Sequence, residues 1–118
     1  GLLLNLTTNG FSLLQHAVIH SPSEVIGQVL ELYDQAKLTE VQIKKLMKPN
    51  IKGFNILHDS GLRLDLDMNR HLVAWIKAKT DEIMLKEMLN QQALQSILPG
   101  SIKNREVLKY FNNLRESL

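Results

Sequence analysis

The residues of this chain whose types and spacing could do chemistry are its four histidines, one pair of aspartates and a run of lysines. His16 and His20 stand four apart, so on a helix both imidazoles share a face, and Glu24 follows one turn later. That is the beginning of a zinc face. A metal site needs three or four ligands, however, and the turn at Pro22 should carry Glu24 away from the histidines. The simpler reading is a surface or half-buried pair, and no metal is expected. Asp65 and Asp67 flank Leu66 as two carboxylates that could share a divalent cation, but helix capping by Asp67 is by far the better explanation of that residue. Lys44, Lys45, Lys48 and Lys52 form a basic cluster, the candidate partner-binding surface, whose chemistry would suit a phosphate or an anionic lipid headgroup. No aromatic stacking platform accompanies it and Glu40 lies alongside, so a solvated face competes with that reading.

What is missing narrows the function further. There is no glycine-rich phosphate loop, no nucleophile elbow and no constellation of paired carboxylates. The chain is therefore expected to be a non-enzyme with no catalytic residues and no cofactor. Fourteen basic against 12 acidic residues leave a net charge of +2, too small an imbalance to argue for nucleic acid. Cysteine is absent, which excludes disulfides and thiolate metal sites. The sequence opens Gly1-Leu2-Leu3-Leu4 rather than with Met, which reads as a piece of a longer protein. Three leucines are too few for a signal-peptide core or a membrane span.

The elements that must position these residues are helical. Hydrophobic residues make up 44% of the 118 and aromatics only 5%, so aliphatic side chains, Leu foremost, supply the core. Ser21-Pro22-Ser23-Glu24 has the pattern of a capping box, with Ser21 as N-cap, and opens a helix over about 22–36. Thr39-Glu40-Val41-Gln42 repeats the pattern before a short basic helix that Pro49 stops. Leu13, Leu14, Ala17 and Val18 mark a two-turn helix before the first of these, and Ile56-Leu57 begin another after Pro49. Asp67 is placed to cap a helix through Trp75 and Ile76. Thr80 opens one that can run toward Leu98, Pro99-Gly100 break the chain, and Val107, Leu108, Phe111 and Leu114 mark a last helix. The alternation Leu62-Arg63-Leu64-Asp65-Leu66-Asp67 is too brief for a strand and falls where two helices should join. About seven or eight helices are expected, with Leu14, Ala17, Val29, Leu57, Leu72, Ile76 and Leu89 buried.

The sequence also repeats itself. Gly10-Phe11-Ser12-Leu13-Leu14-Gln15-His16-Ala17 aligns without gaps on Gly53-Phe54-Asn55-Ile56-Leu57-His58-Asp59-Ser60. In each copy glycine permits a turn, Ser12 or Asn55 can cap the next helix, and an aliphatic pair begins a buried face. Both octapeptides resemble the Gly-x-Thr-Pro-Leu-His-x-Ala opening of an ankyrin repeat. Gly10, Ser12, Leu14 and Ala17 match in the first copy, where Ser21 with Glu24-Val25-Ile26 resembles the family's turn and second helix. In the second copy Gly53, Leu57 and His58 match, Ser60 replaces the small Ala, and Asn50 stands where the family often has Asp. The motif's Pro is replaced by Leu13 and Ile56, and the copies lie 43 residues apart (Gly10 to Gly53) where the family period is about 33. The helix around Thr39 to Met47 fills the surplus. The resemblance implies a structural role for His58, hydrogen-bonded to a neighbouring turn.

The expectation is a single all-α domain of short antiparallel helix pairs, stacked as degenerate ankyrin-like repeats. Residues 7–36 form the first unit, 37–49 an inserted helix, 50–79 the second unit and 80–118 a C-terminal helical cap. Such a stack implies a protein-interaction module of a larger cytoplasmic protein, or of a bacterial protein delivered to a host cytosol. The competing expectation is an accessory domain that packs within a larger enzyme or effector whose active site lies elsewhere in the chain.

Overall fold

The computed structural model describes residues 13–48, 55–90 and 102–118, with side chains from Arg105 onward in the last stretch. Among the described residues seven helices follow one another: α1 (Leu13–His20), α2 (Ser23–Ala36), α3 (Glu40–Met47), α4 (Ile56–Arg63), α5 (Leu66–Lys79), α6 (Glu82–Asn90) and α7 (Ile102–Ser117). None of the described residues lies in a strand, and the all-α class expected from the sequence holds. The pair Leu62–Asp67 spans the end of α4 and the start of α5, so its alternation has no single face: Leu62 is exposed, Leu64 buried and Leu66 half-buried.

Side-chain caps set most of the helix starts. The Thr39 hydroxyl accepts from the Gln42 amide at 3.2 Å while Gln42 Oε1 accepts from the Thr39 amide at 2.9 Å, the reciprocal box that the sequence predicts. Asn55 Oδ1 accepts from the Leu57 and His58 amides, at 2.8 and 3.2 Å, and caps α4. Three expected starts need correction. Ser21 does not cap α2: Pro22 holds the N-cap place without a side-chain bond, and the Ser21 amide instead donates to the Ala17 carbonyl at 2.8 Å, which ties it to the end of α1. The cap of α5 is Asp65 rather than Asp67. Its carboxylate accepts from the Met68 amide at 2.8 Å, which leaves Asp67 in the first turn, where a negative charge suits the helix dipole. Thr80 closes α5 rather than opening α6. Its hydroxyl donates back to the Ile76 carbonyl at 2.7 Å, and Asp81 caps α6 by accepting from the Met84 amide at 2.8 Å. The expected extension of α6 toward Leu98, and the breaks at Pro49 and Pro99-Gly100, lie outside the described residues.

Two helix pairs, α1 with α2 and α4 with α5, lie side by side. α1 packs on both α2 and α4, and α7 lies across α4, α5 and α6. The residues predicted for the core are there: Leu14, Leu57, Leu72 and Ile76 are fully buried, and Ala17, Val29 and Leu89 almost so. Burying a Leu or Ile contributes roughly 1.5–3 kcal/mol each, so this aliphatic centre carries the fold with few aromatics.

Polar side chains hold the corners between helices. Asn69 Nδ2, fully buried on α5, donates to the carbonyls of Ser60, Leu64 and Asp65 at 3.1, 3.2 and 2.8 Å, which satisfies the C-terminal end of α4 and the turn after it. Asn55 works in two directions: beyond capping α4, its Nδ2 donates to the Met88 carbonyl at 2.9 Å and so ties the start of α4 to the end of α6. Tyr33, 2% exposed, hydrogen-bonds the Leu14 backbone, while burial pushes its phenol up to about 12.

Candidate functional site

The second helices of the two pairs, α2 and α5, do not close on each other along their length. Tyr33 and Trp75 meet with ring centroids 6.1 Å apart. Beside them Asp34 Oδ1 accepts from Trp75 Nε1 at 3.0 Å and from Lys79 Nζ at 2.6 Å. The Lys79 ammonium, helped by the Trp75 indole, holds the Asp34 carboxyl below the usual carboxylate range. This bridge joins the C-terminal halves of the two helices. Next to it an open groove of about 740 Å³ runs between them, with Gly27, Leu30, Ala74 and Trp75 as an apolar floor. Glu24, Glu31 and Asp34 from α2 and His71 from α5 stand around it, and among the described residues no Lys or Arg lines it.

Gly27 is the glycine of the groove's lining. It sits inside α2, where glycine costs roughly 0.5–1 kcal/mol relative to Ala. A Cβ placed there would meet nothing within 4 Å, so packing within the fold does not require a glycine. Glu24 and Glu31 are exposed, and neither takes part in an ion pair among the described residues.

The residues singled out from the sequence lie elsewhere. Lys44 is 3.4 Å from Glu40, one helical turn away, and both are solvent-facing. Lys45 and Lys48 are exposed, and Lys52 lies outside the described residues. Lys44 lines a second, smaller depression with Leu38, Ile43 and Thr80, apart from the α2–α5 groove. His16 and His20 are both exposed, their rings 4.7 Å apart, while Glu24 lines the α2–α5 groove. Among the described residues no group of three or more His, Asp or Glu side chains is placed to hold a metal ion. Asp65 serves as a cap, and Asp67 lies 4.0 Å from Arg70 at the surface. His58 is buried on α4. Beside it Asp59 is a buried carboxyl, 7% exposed, whose Oδ2 has no hydrogen-bond partner among the described residues; desolvation pushes it up to about 6, opposed by the charge of Arg63.

Reading the sequence missed the groove because its parts look ordinary one at a time. Gly27 in the middle of a well-patterned helix was the available signal, as was Glu24 with Glu31 two turns on, beside the chain's only tryptophan. The pairing of α2 with α5 across the fold has no local signature. No helix among the described residues is long and apolar enough to cross a membrane. Compared with protein-family models, with curated proteins and with solved structures, the chain matches none.

Proposed function

We propose that the chain is a protein-interaction module of a larger cytoplasmic protein, built from two degenerate ankyrin-like helix pairs and holding its partner on the surface that the stacked pairs create. The observation that carries this reading is the groove between α2 and α5, which belongs to neither pair alone and exists only because the pairs stand side by side. The stacking of first helix on first helix, α1 on α4, supports the repeat reading, as does the full burial of Leu14 and Leu57 at aligned positions of the two octapeptides. Helical repeats use such extended inter-repeat surfaces to bind other proteins. Binding is the reading its lining favours: the floor is apolar, and among the described residues the polar rim offers one glutamine, one histidine and carboxylates, with no Ser, Thr, Cys or Lys.

Photo-crosslinking tests the reading. A benzophenone amino acid replacing Gln28, at the groove, and another replacing Lys45, on the lysine face, are introduced into the intact protein in its own cells. A discrete adduct to a second polypeptide from Gln28 and none from Lys45 is the expected result. An adduct within the same polypeptide would instead make the chain an accessory domain packed against its own protein. Adducts from Lys45 alone would return the function to the basic cluster.

A further inference from the structure

We infer that the occupant of the α2–α5 groove is an amphipathic helix of a partner protein whose apolar stripe is flanked by Lys and Arg. The inference rests on the interaction-module reading and adds the chemistry of what is bound. Charge is the first argument. Among the described residues the groove is lined by three carboxylates and no cation, in a chain whose net charge is +2, so the acidity is local to this surface. Lys79 answers Asp34, while Glu24 and Glu31 stand exposed with no ion-pair partner among the described residues. Cations on the incoming segment would meet them at the rim, where complementary charge sets specificity and association rate.

The floor supplies the second argument. A helix seats most closely on two others where the residues beneath it are small, because the interaxial distance, about 8–10 Å, depends on the side chains at the contact. Gly27 and Ala74 are the small, accessible residues of the floor, on opposite helices, with the buried Leu30 and Trp75 lining it alongside them. The space above Gly27 is open, although a larger residue there would favour the helix. That combination makes room for the close approach of another backbone. An apolar stripe with residues at i, i+3, i+4 and i+7 would cover this floor, leaving flanking positions to reach Glu24 and Glu31.

Panning a displayed library of short helical peptides, randomised at all surface positions, against the chain tests the occupant's chemistry. The expected winners carry a Leu, Ile or Met stripe with Lys or Arg on its flanks, and their binding shifts the emission of Trp75. Gly27→Leu should weaken them at least about tenfold, equivalent to about 1.4 kcal/mol, with no drop in the unfolding midpoint. Glu24→Lys combined with Glu31→Lys should weaken them by a similar factor at low salt, and by less as salt rises. Winners that are acidic or uncharged, binding indifferent to Gly27→Leu, or no enrichment at all would overturn the assignment. If the Gln28 crosslink to a second polypeptide persists in any of those cases, the interaction module stands and only the basic-helix chemistry falls. If that crosslink is absent as well, both fall.

Discussion

The two seams between the helix pairs are built differently. At the α1–α4 seam the first helices meet directly, and Leu14 and Leu57 are 0% exposed. At the α2–α5 seam contact is made by Tyr33, Trp75 and the Asp34 bridge, and beside them lies the groove over Gly27 and Ala74. The first seam is closed by aliphatic packing, which is non-directional and tolerates little change in volume. The second is held at one place by directional bonds and is otherwise left open. If the α2–α5 groove binds as proposed, stability and binding fall on different seams, and a substitution should disturb one without the other.

The largest effect is expected at the closed seam. Leu57→Ala should cost roughly 2–5 kcal/mol, since the side chain is fully buried and its loss leaves a cavity in the core. Chemical denaturation giving a loss below about 1 kcal/mol would mean that the seam is looser than its burial indicates. A smaller loss, about 2 kcal/mol, is expected from Asn69→Leu. The change keeps the volume but strips three carbonyls of their shared donor. Hydrogen exchange should then rise first at the α4–α5 corner, and a uniform rise across the fold would show that the corner does not open separately.

The two seams also answer pH with opposite signs. Asp59, buried on α4 beside the closed seam, titrates at about 6 in the folded chain against 3.8 for an ordinary aspartate. The folded state therefore binds the proton more tightly, and stability falls as pH rises from about 4 to 6, then stays level. Asp59→Asn should remove that slope and raise stability at pH 8 by about 1–2 kcal/mol. Asp34, at the open seam, is shifted the other way by Lys79 and Trp75, so its bridge contributes above the ordinary carboxylate range and is lost as pH falls below it. Its half-exposed position limits that contribution to about 1 kcal/mol or less. Denaturation curves at pH 3, 5 and 8 for the Asn variants of both residues check the signs. Parallel pH profiles would contradict the assignment of the two carboxylates to different environments.

The closed seam was more legible in the sequence than the open one, for a physical reason. Helix spans and buried faces follow from periodicity and caps, which are local, and so the burial of Leu14 on α1 and Leu57 on α4 is readable from spacing alone. Where competing caps stood close together the local reading failed: Asp65 and Asp67 both suit an N-cap, and the geometry that chose Asp65 also required Asn69 to reach back over the turn. The lysine cluster drew attention because like charges adjacent in sequence are easy to see. The groove carboxylates drew none, because they act with residues of a helix some forty positions away.

The smallest effect is the one that most sharpens the contrast between seams. Gly27→Ala should stabilise the chain by about 0.5–1 kcal/mol, the helix propensity that glycine forgoes in a helix interior. The added methyl meets no atom within 4 Å, so no packing term opposes the gain. In a domain of 118 residues that is a rise of a few degrees in Tm. The same Ala should at the same time weaken a helix seated in the groove, because the methyl takes up space that the partner's backbone would use. A gain in Tm with a loss of binding is the expected pair of results. A fall in Tm would mean that the space over Gly27 is filled within the chain itself, by a segment outside the described residues, and the second seam would then be closed like the first.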